Sequence, residues 1–189
     1  MAKAAVLTEA LPYIQAFRGS VVLVKLGGSV MEVEANLDSL MDDIAFMHAV
    51  GMKIVIVHGG GKAISRAIRE SGHEPKFVDG LRVTDETTME IVRRTLNKVV
   101  NPDLVRRLQL RGSNARPLHG NWIFTARKIA APDRGYVGEV MEVDARVVTE
   151  MLDAGIIPVI TPLGTGADDD HLYNVNADFA AAALAKTLK

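Results

Sequence analysis

Apolar residues along this chain fall into two alternating textures. Short unbroken runs, Val21 to Val24, Ile54 to Val57 and the stretch IIPVITPLG from Ile156, alternate with longer segments whose apolar positions recur every three or four residues. The runs are too short for buried helices and rich in β-branched residues, so they predict strands buried on both faces. The periodic segments predict helices. The first spans Ala4 to Gly19, with Val6, Leu7, Ala10, Leu11, Ile14 and Phe17 at helical spacing and a bend near Pro12. Others cover about Asn36 to Val50, Ala63 to Glu70 before Gly72, Asp85 to Val100, a continuation to Leu110 after a break at Asn101-Pro102, and about Ala145 to Ala154. NVNAD opens a last, alanine-rich helix. WIFTARKI (Trp122 to Ile129) and GYVGEVMEV (Gly135 to Val143) alternate with period two around Pro132, the pattern of a hairpin.

This order predicts an α/β protein: a three-layer α/β/α sandwich on an open, mainly parallel sheet, with a β-hairpin excursion and an N-terminal helix. Residues 1–19 carry that helix, and residues 20–189 form the main domain. The last helix runs to Lys189 with no glycine or cap, where a doubly wound chain would continue into a strand. The chain therefore reads as part of a larger protein.

Composition narrows the partners. A chain of 189 residues can bury one sizeable core. Lys plus Arg number 22 against 23 for Asp plus Glu, so nothing in the charge balance favours nucleic acid or an anionic membrane. The absence of cysteine excludes disulfides, thiolate chemistry and sulfur-bound zinc, and suits a cytoplasmic protein. No leader pattern is evident, and no apolar run approaches the ~20 residues of a membrane span.

The candidate chemistry lies where strands end. The first predicted strand runs into Lys25-Leu26-Gly27-Gly28, and the second into His58-Gly59-Gly60-Gly61. Glycines lose more backbone entropy on folding than other residues, so a cluster of them needs a return. Open α/β sheets bind ligands at the carboxyl ends of their strands, where turn N–H groups and a helix N-terminus cradle anions. One glycine pair alone would be a tight strand-to-helix turn; two clusters, one a triple, favour the cradle. Familiar glycine motifs fail letter by letter. Ala63 and Ile56 break a P-loop, Ile64 breaks a dinucleotide fingerprint, and no G-x-S-x-G accompanies HGGG.

Lys25 alone would be a strand-end lysine reaching for solvent, but beside Gly27 and Gly28 it reads as a charge held at a phosphate cradle. Arg82, in the glycine-led loop GLRVTD, suits a bidentate grip on a carboxylate, with an ordinary surface arginine as the alternative. NVNAD sets Asn174, Asn176 and Asp178 at a strand end, where amides orient polar ligands and Asp178 equally suits a helix dipole. Asp168 to Asp170 reads as a hydrated acidic turn, and His48, His73, His119 and His171 show no ligand spacing, so no metal site is predicted.

Taken in order, VVLVKLGGS, VIVHGGG, GLRVTD, GYVGEV, DAGIIPVITPLG and NVNAD resemble the amino acid kinase family, and within it the acetylglutamate kinases. Each motif alone is weak, whereas the ordered set is specific. The resemblance implies transfer of the ATP γ-phosphoryl group, with Mg2+, to the side-chain carboxylate of N-acetyl-L-glutamate in arginine biosynthesis. It implies that Lys25 neutralises the transferring group, Gly27 and Gly28 line the phosphate site, and Gly60 and Gly61 offer N–H groups to the reactants. Arg82 and Asn174 would hold acetylglutamate, and Asp178 would orient the catalytic lysines. A methyl group at Gly60 or Gly61 is then expected to harm catalysis more than folding.

The resemblance also implies a homo-oligomer: a dimer, or a hexamer joined through the N-terminal helix as in arginine-inhibited members. Three departures stand out. Lys62 replaces the usual proline after HGGG, RPLHGNW (116–122) replaces a glycine-rich segment, and the nucleotide-binding half that normally follows NVNAD, with its second catalytic lysine, is absent. Two alternatives stay open: a kinase for a related amino-acid carboxylate, and a non-catalytic homologue that binds acetylglutamate or oligomerises.

Overall fold

The computed structural model of the protein describes residues 2–188, and of residues 2–7 the backbone alone, so Val6 and Leu7 of the first apolar stripe lie outside the described side chains. Helix α1 (Ala2–Phe17), with Pro12 inside it, leads to strand β1 (Val21–Leu26), helix α2 (Glu34–Ala49), strand β2 (Lys53–His58) and helix α3 (Gly61–Glu70). A short hairpin, β3 (Phe77–Val78) and β4 (Leu81–Arg82), precedes helices α4 (Glu86–Thr95) and α5 (Asn101–Leu110). There follow β5 (Ala115–Leu118), β6 (Phe124–Lys128), β7 (Val137–Val143), α6 (Arg146–Asp153), β8 (Ile157–Ile160), β9 (Leu163–Gly166), β10 (Leu172–Val175) and α7 (Ala177–Thr187).

Four strands form a wholly parallel sheet in the order β1-β2-β8-β5. Leu26 lies opposite His58, and Ile160 lies opposite both Val57 and Leu118, so all four carboxyl ends share one edge. The unbroken apolar runs are explained by cover on both faces. On one side Ile54, Ile56, Ile157 and Val159 pack against Met41 and Ile44 of α2 and Leu104 and Leu108 of α5. On the other, Val55, Val57 and Ile160 meet Val148 and Leu152 of α6 and Ala180, Ala181 and Leu184 of α7. Each such fully buried aliphatic side chain contributes about 1.5–3 kcal/mol of transfer free energy, so the sandwich is the main source of cohesion.

The structure adds to the expected hairpin. Strands β6 and β7 pair antiparallel, with a bulge between Thr125 and Ala126, but they are no isolated excursion. Strands β9 and β10 join them in a closed four-stranded barrel, whose Phe124, Ala126, Tyr173 and Val175 share the second core face with the sheet. The run IIPVITPLG is accordingly two strands rather than one, because Thr161-Pro162 separates β8 in the sheet from β9 in the barrel. RPLHGNW is partly strand as well: β5 is the edge of the sheet, where Pro117 need not donate to a ladder.

The expected break at Asn101-Pro102 does not occur. Helix α4 passes through a π-helical segment, Leu96–Val100, directly into α5, and Pro102 sits in the first turn of α5, where a missing N–H is tolerated. No helix among the described residues is long and apolar enough to cross a membrane.

Candidate functional site

A cleft of about 370 Å³ opens at the carboxyl edge of the sheet, between the two glycine turns, the β3–β4 hairpin and the end of β10. Lys25, Gly27, Gly28, Gly60, Gly61, Arg82, Asn174 and Asp178 all line it. Residues spread over more than 150 positions of sequence thus meet in one place, where the sheet's carboxyl edge adjoins the β3–β4 hairpin and the barrel strand β10.

Lys25 is the penultimate residue of β1, at the strand end where the sequence placed it. The period-two alternation sends Val22 and Val24 toward α2 and Leu23 toward the face covered by α7, so Lys25 joins Leu23 on the α7 side. Asp178, in the first turn of α7, meets it there: Lys25 Nζ lies 2.8 Å from Asp178 Oδ1. Asp178 is held in turn by Asn176, whose Oδ1 accepts from the backbone N–H groups of Asp178 (2.8 Å) and Phe179 (3.3 Å). Asn176 is therefore the N-cap of α7, while Asn174, two residues earlier in β10, donates from Nδ2 to Thr84 Oγ1 at 3.3 Å. NVNAD divides between folding and site.

Arg82 lies in β4, not in a loop, and is only 7% exposed. Its Nη2 donates to Gly61 O and to Ser65 Oγ, both at 2.8 Å, and its guanidinium stacks 4.7 Å above the Phe77 ring. Nη1 is buried and has no protein partner. Burial, and then the charge of Arg69, push the Arg82 pKa down from its ordinary value. A buried guanidinium with one unmatched amino nitrogen on a cleft wall is suited to receive an anion.

The hairpin that carries Arg82 is anchored from below. Arg134, 5% exposed, donates from Nη2 to Asp79 Oδ2 at 2.6 Å, from Nε to Val78 O at 3.2 Å and from Nη1 to Pro132 O at 3.3 Å. Asp79 (φ 50°) and Gly80 (φ 78°) form the hairpin turn, a backbone that Asp and Gly tolerate best. Gly135 matters for close approach: a Cβ there would land on the Thr84 carbonyl, which accepts from Tyr136 N at 2.6 Å.

The glycines of HGGG have separate reasons. Gly60 is buried, and a Cβ there would come 2.8 Å from Leu96 Cδ2, so a methyl would have to displace the end of that side chain. The expectation that a methyl at Gly60 harms catalysis more than folding thus meets a packing cost as well. Gly61, exposed at the start of α3, has nothing within 4 Å of a built Cβ. Beneath them His58 is fully buried. Its Nδ1 donates to Gly59 O at 2.8 Å and its Nε2 accepts from Asn101 Nδ2 at 3.0 Å, while Asn101 Nδ2 also reaches Val159 O at 2.8 Å. Burial pushes the imidazole pKa down to about 4. Sequence reasoning passed over this pair, since Asn101 read as a helix break and its partner lies 43 positions away.

Lys62 pairs with Glu32, on a 3-10 turn (Val30–Glu32) that continues the Gly27-Gly28 loop. No group of three or more His, Cys, Asp or Glu that would hold a metal ion is clustered among the described residues.

A cleft lined by Lys25, Lys62 and Arg82 at the carboxyl edge of a parallel sheet, flanked by glycine turns and two helix N-termini, defines an α/β protein whose cleft has the chemistry to receive an anion. Residues 20–189 match the amino acid kinase family, and the chain belongs to that family. An acetylglutamate kinase from Thermoanaerobacter sp. (strain X514) is 45% identical over 193 aligned positions, covering all of this chain and 64% of that protein. The chain thus spans a little under two thirds of that curated relative's length. Among solved structures, smu.665 from Streptococcus mutans UA159 aligns with a TM-score of 0.80 and 30% identity over 89% of this chain and 68% of that one. N-acetylglutamate synthase from Neisseria gonorrhoeae, complexed with coenzyme A and N-acetyl-glutamate, aligns at 0.79 and 29% identity over 98% of this chain and 43% of that one.

Proposed function

We propose that the chain is the acceptor-binding portion of an acetylglutamate kinase, holding N-acetyl-L-glutamate while its side-chain carboxylate is phosphorylated by ATP. The observation that carries this reading is the convergence of Lys25, buried Arg82 and two glycine turns on one cleft. The relatives' names and the acetylglutamate complex of the structural neighbour support the substrate.

In the reaction a carboxylate oxygen attacks the γ-phosphorus. The new O–P bond forms as the bond to the bridging oxygen breaks, and ADP leaves with that electron pair. No proton moves, since a carboxylate is already ionised and nucleophilic near neutral pH, so no catalytic base is required. The barrier is the approach of two anions, and each residue's part follows. Arg82 and Asn174 hold the acceptor. Gly60 and Gly61 offer N–H groups where their lack of side chains lets oxygens come close. Lys25 offsets charge developing on the phosphoryl oxygens, with its ammonium aimed by Asp178, and Gly27 leaves room for it: a Cβ there would stand 3.3 Å from Nζ. Mg2+ would accompany the nucleotide phosphates and neutralise their charge.

The length match favours a second reading, a non-catalytic module that binds acetylglutamate. Calorimetry with N-acetyl-L-glutamate and a hydroxamate assay with ATP and Mg2+ separate the two. Acyl phosphate formation supports the kinase, binding without it supports the module, and no binding sinks both. We further propose that the protein is cytoplasmic and that α1, whose Leu11, Tyr13 and Phe17 are exposed, joins copies of the chain into an oligomer. Light scattering before and after removal of residues 1–19 tests the latter; an unchanged mass refutes it.

A further inference from the structure

We infer that Lys62 is an exchangeable phosphoryl-binding cation, parked on Glu32 and drawn into the cleft by the oxygens of an incoming phosphate. The inference rests on the cleft's being the phosphoryl-transfer site.

The position of Lys62 is the first argument. It is the second residue of α3, beside Gly61, and lines both the cleft and a neighbouring cavity of about 580 Å³. Glu32 lines that neighbouring cavity and not the cleft, together with Glu34 and Asp103. The ion pair thus straddles the boundary, with the cation on the cleft side and its partner outside.

The second argument is what the other cleft cations can do. Arg82 is held by Phe77, Gly61 O and Ser65, and Lys25 already shares the cleft with its own counter-ion, Asp178. Lys62 is the cation lining the cleft whose counter-ion lies elsewhere. Its side chain is 71% exposed and that of Glu32 is 33% exposed, so the pair belongs to the class worth about 0–1 kcal/mol and exchanges readily.

The third argument is the helix end. Gly60 caps α3 without a side chain, which leaves the first N–H groups of α3 without side-chain acceptors. An anion seated there meets those donors and the helix dipole. The Lys62 ammonium, on a flexible stem rooted in the same turn, then gains a charge-assisted bond to the anion that outweighs a solvent-screened pair with Glu32. In the absence of an anion the Lys62–Glu32 pair ties the two glycine turns together; with one bound, Glu32 is released.

Inorganic phosphate is the probe, followed by 31P chemical-shift titration of the chain at low ionic strength, with thermal unfolding to establish that each variant is folded. Lys62→Met should weaken phosphate binding roughly tenfold or more, the loss of about one charge-assisted bond. Glu32→Gln should tighten it, because the ammonium no longer has to leave a carboxylate. Equal weakening by both variants makes the pair a simple brace and overturns the proposal. So does an unchanged affinity in Lys62→Met, or a wild type that binds no phosphate. Acetylglutamate binding, measured separately by calorimetry, reports on the proposed function: if it fails while the opposite-signed phosphate effects stand, the functional reading falls and the role of Lys62 does not.

Discussion

Acidification should weaken this protein in a pH window set chiefly by His58. Burial strips the folded imidazole of water and pushes its pKa down to about 4, against an ordinary 6.5. Between those two values the unfolded chain carries a proton that the folded chain refuses, so stability is fully present above 6.5 and falls as pH drops toward 4. Two and a half pKa units correspond to about 3 kcal/mol, lost at close to 1.4 kcal/mol per pH unit in the middle of the window. That is a large share of a typical domain's 5–15 kcal/mol. The structural cost of protonation is visible too. Nε2 would become a donor facing the Asn101 Nδ2 donor, and the tie from β2 to the start of α5 and the end of β8 would be disrupted.

Urea unfolding followed by circular dichroism at pH 7.0, 6.0, 5.0 and 4.5 measures the slope. Carboxylates held below their ordinary values, such as Asp85 by the Thr88 N–H, lose their stabilising contribution only below about pH 4, outside this window. His119 is also held low by burial and adds a slope of the same sign, so the decisive comparison is with His58→Gln. That variant will be less stable at neutral pH but should lose stability less steeply than the wild type between pH 6.5 and 4.5, keeping only the slope that His119 contributes. A His58→Gln slope equal to that of the wild type would refute the reasoning.

Other outcomes follow from the same geometry. Gly60→Ala should destabilise by about 1–3 kcal/mol through overpacking against Leu96, whereas Gly61→Ala should shift stability by less than about 0.5 kcal/mol yet weaken phosphate binding; equal stability losses would refute the distinction. Lys25→Met should change stability by less than about 1 kcal/mol, because its pair with Asp178 is largely exposed, while phosphate affinity falls; retained affinity removes Lys25 from the site. Arg134→Leu should cost about 1–3 kcal/mol by orphaning the Val78 and Pro132 carbonyls, and should weaken acetylglutamate binding by freeing the hairpin that holds Arg82. Calorimetry at constant temperature checks the latter, and an unchanged affinity would show that Arg82 holds its place without the anchor.

The chain's own pattern determined a good deal. Unbroken β-branched runs ending in glycine clusters specify a parallel sheet covered on both faces and mark its carboxyl edge as the place for an anion, because periodicity and backbone freedom are local properties. Lys25, Asn174 and Asp178 stand beside predicted strand ends and Arg82 in a glycine-led loop, but it was the ordered resemblance to the family that gave the four their expected roles. Tertiary structure decided what those residues meet. Only the fold brings Asp178 onto Lys25, buries Arg82 with one nitrogen unmatched, divides NVNAD between a helix cap and a cleft wall, and seats Asn101 against His58. It also decided that a side chain at Gly60 would press on Leu96, that the hairpin closes into a barrel, and that Pro102 continues a helix through a π turn. Those outcomes depend on partners tens of residues away, whose distances are set by packing and leave no mark on the local order of apolar and polar positions.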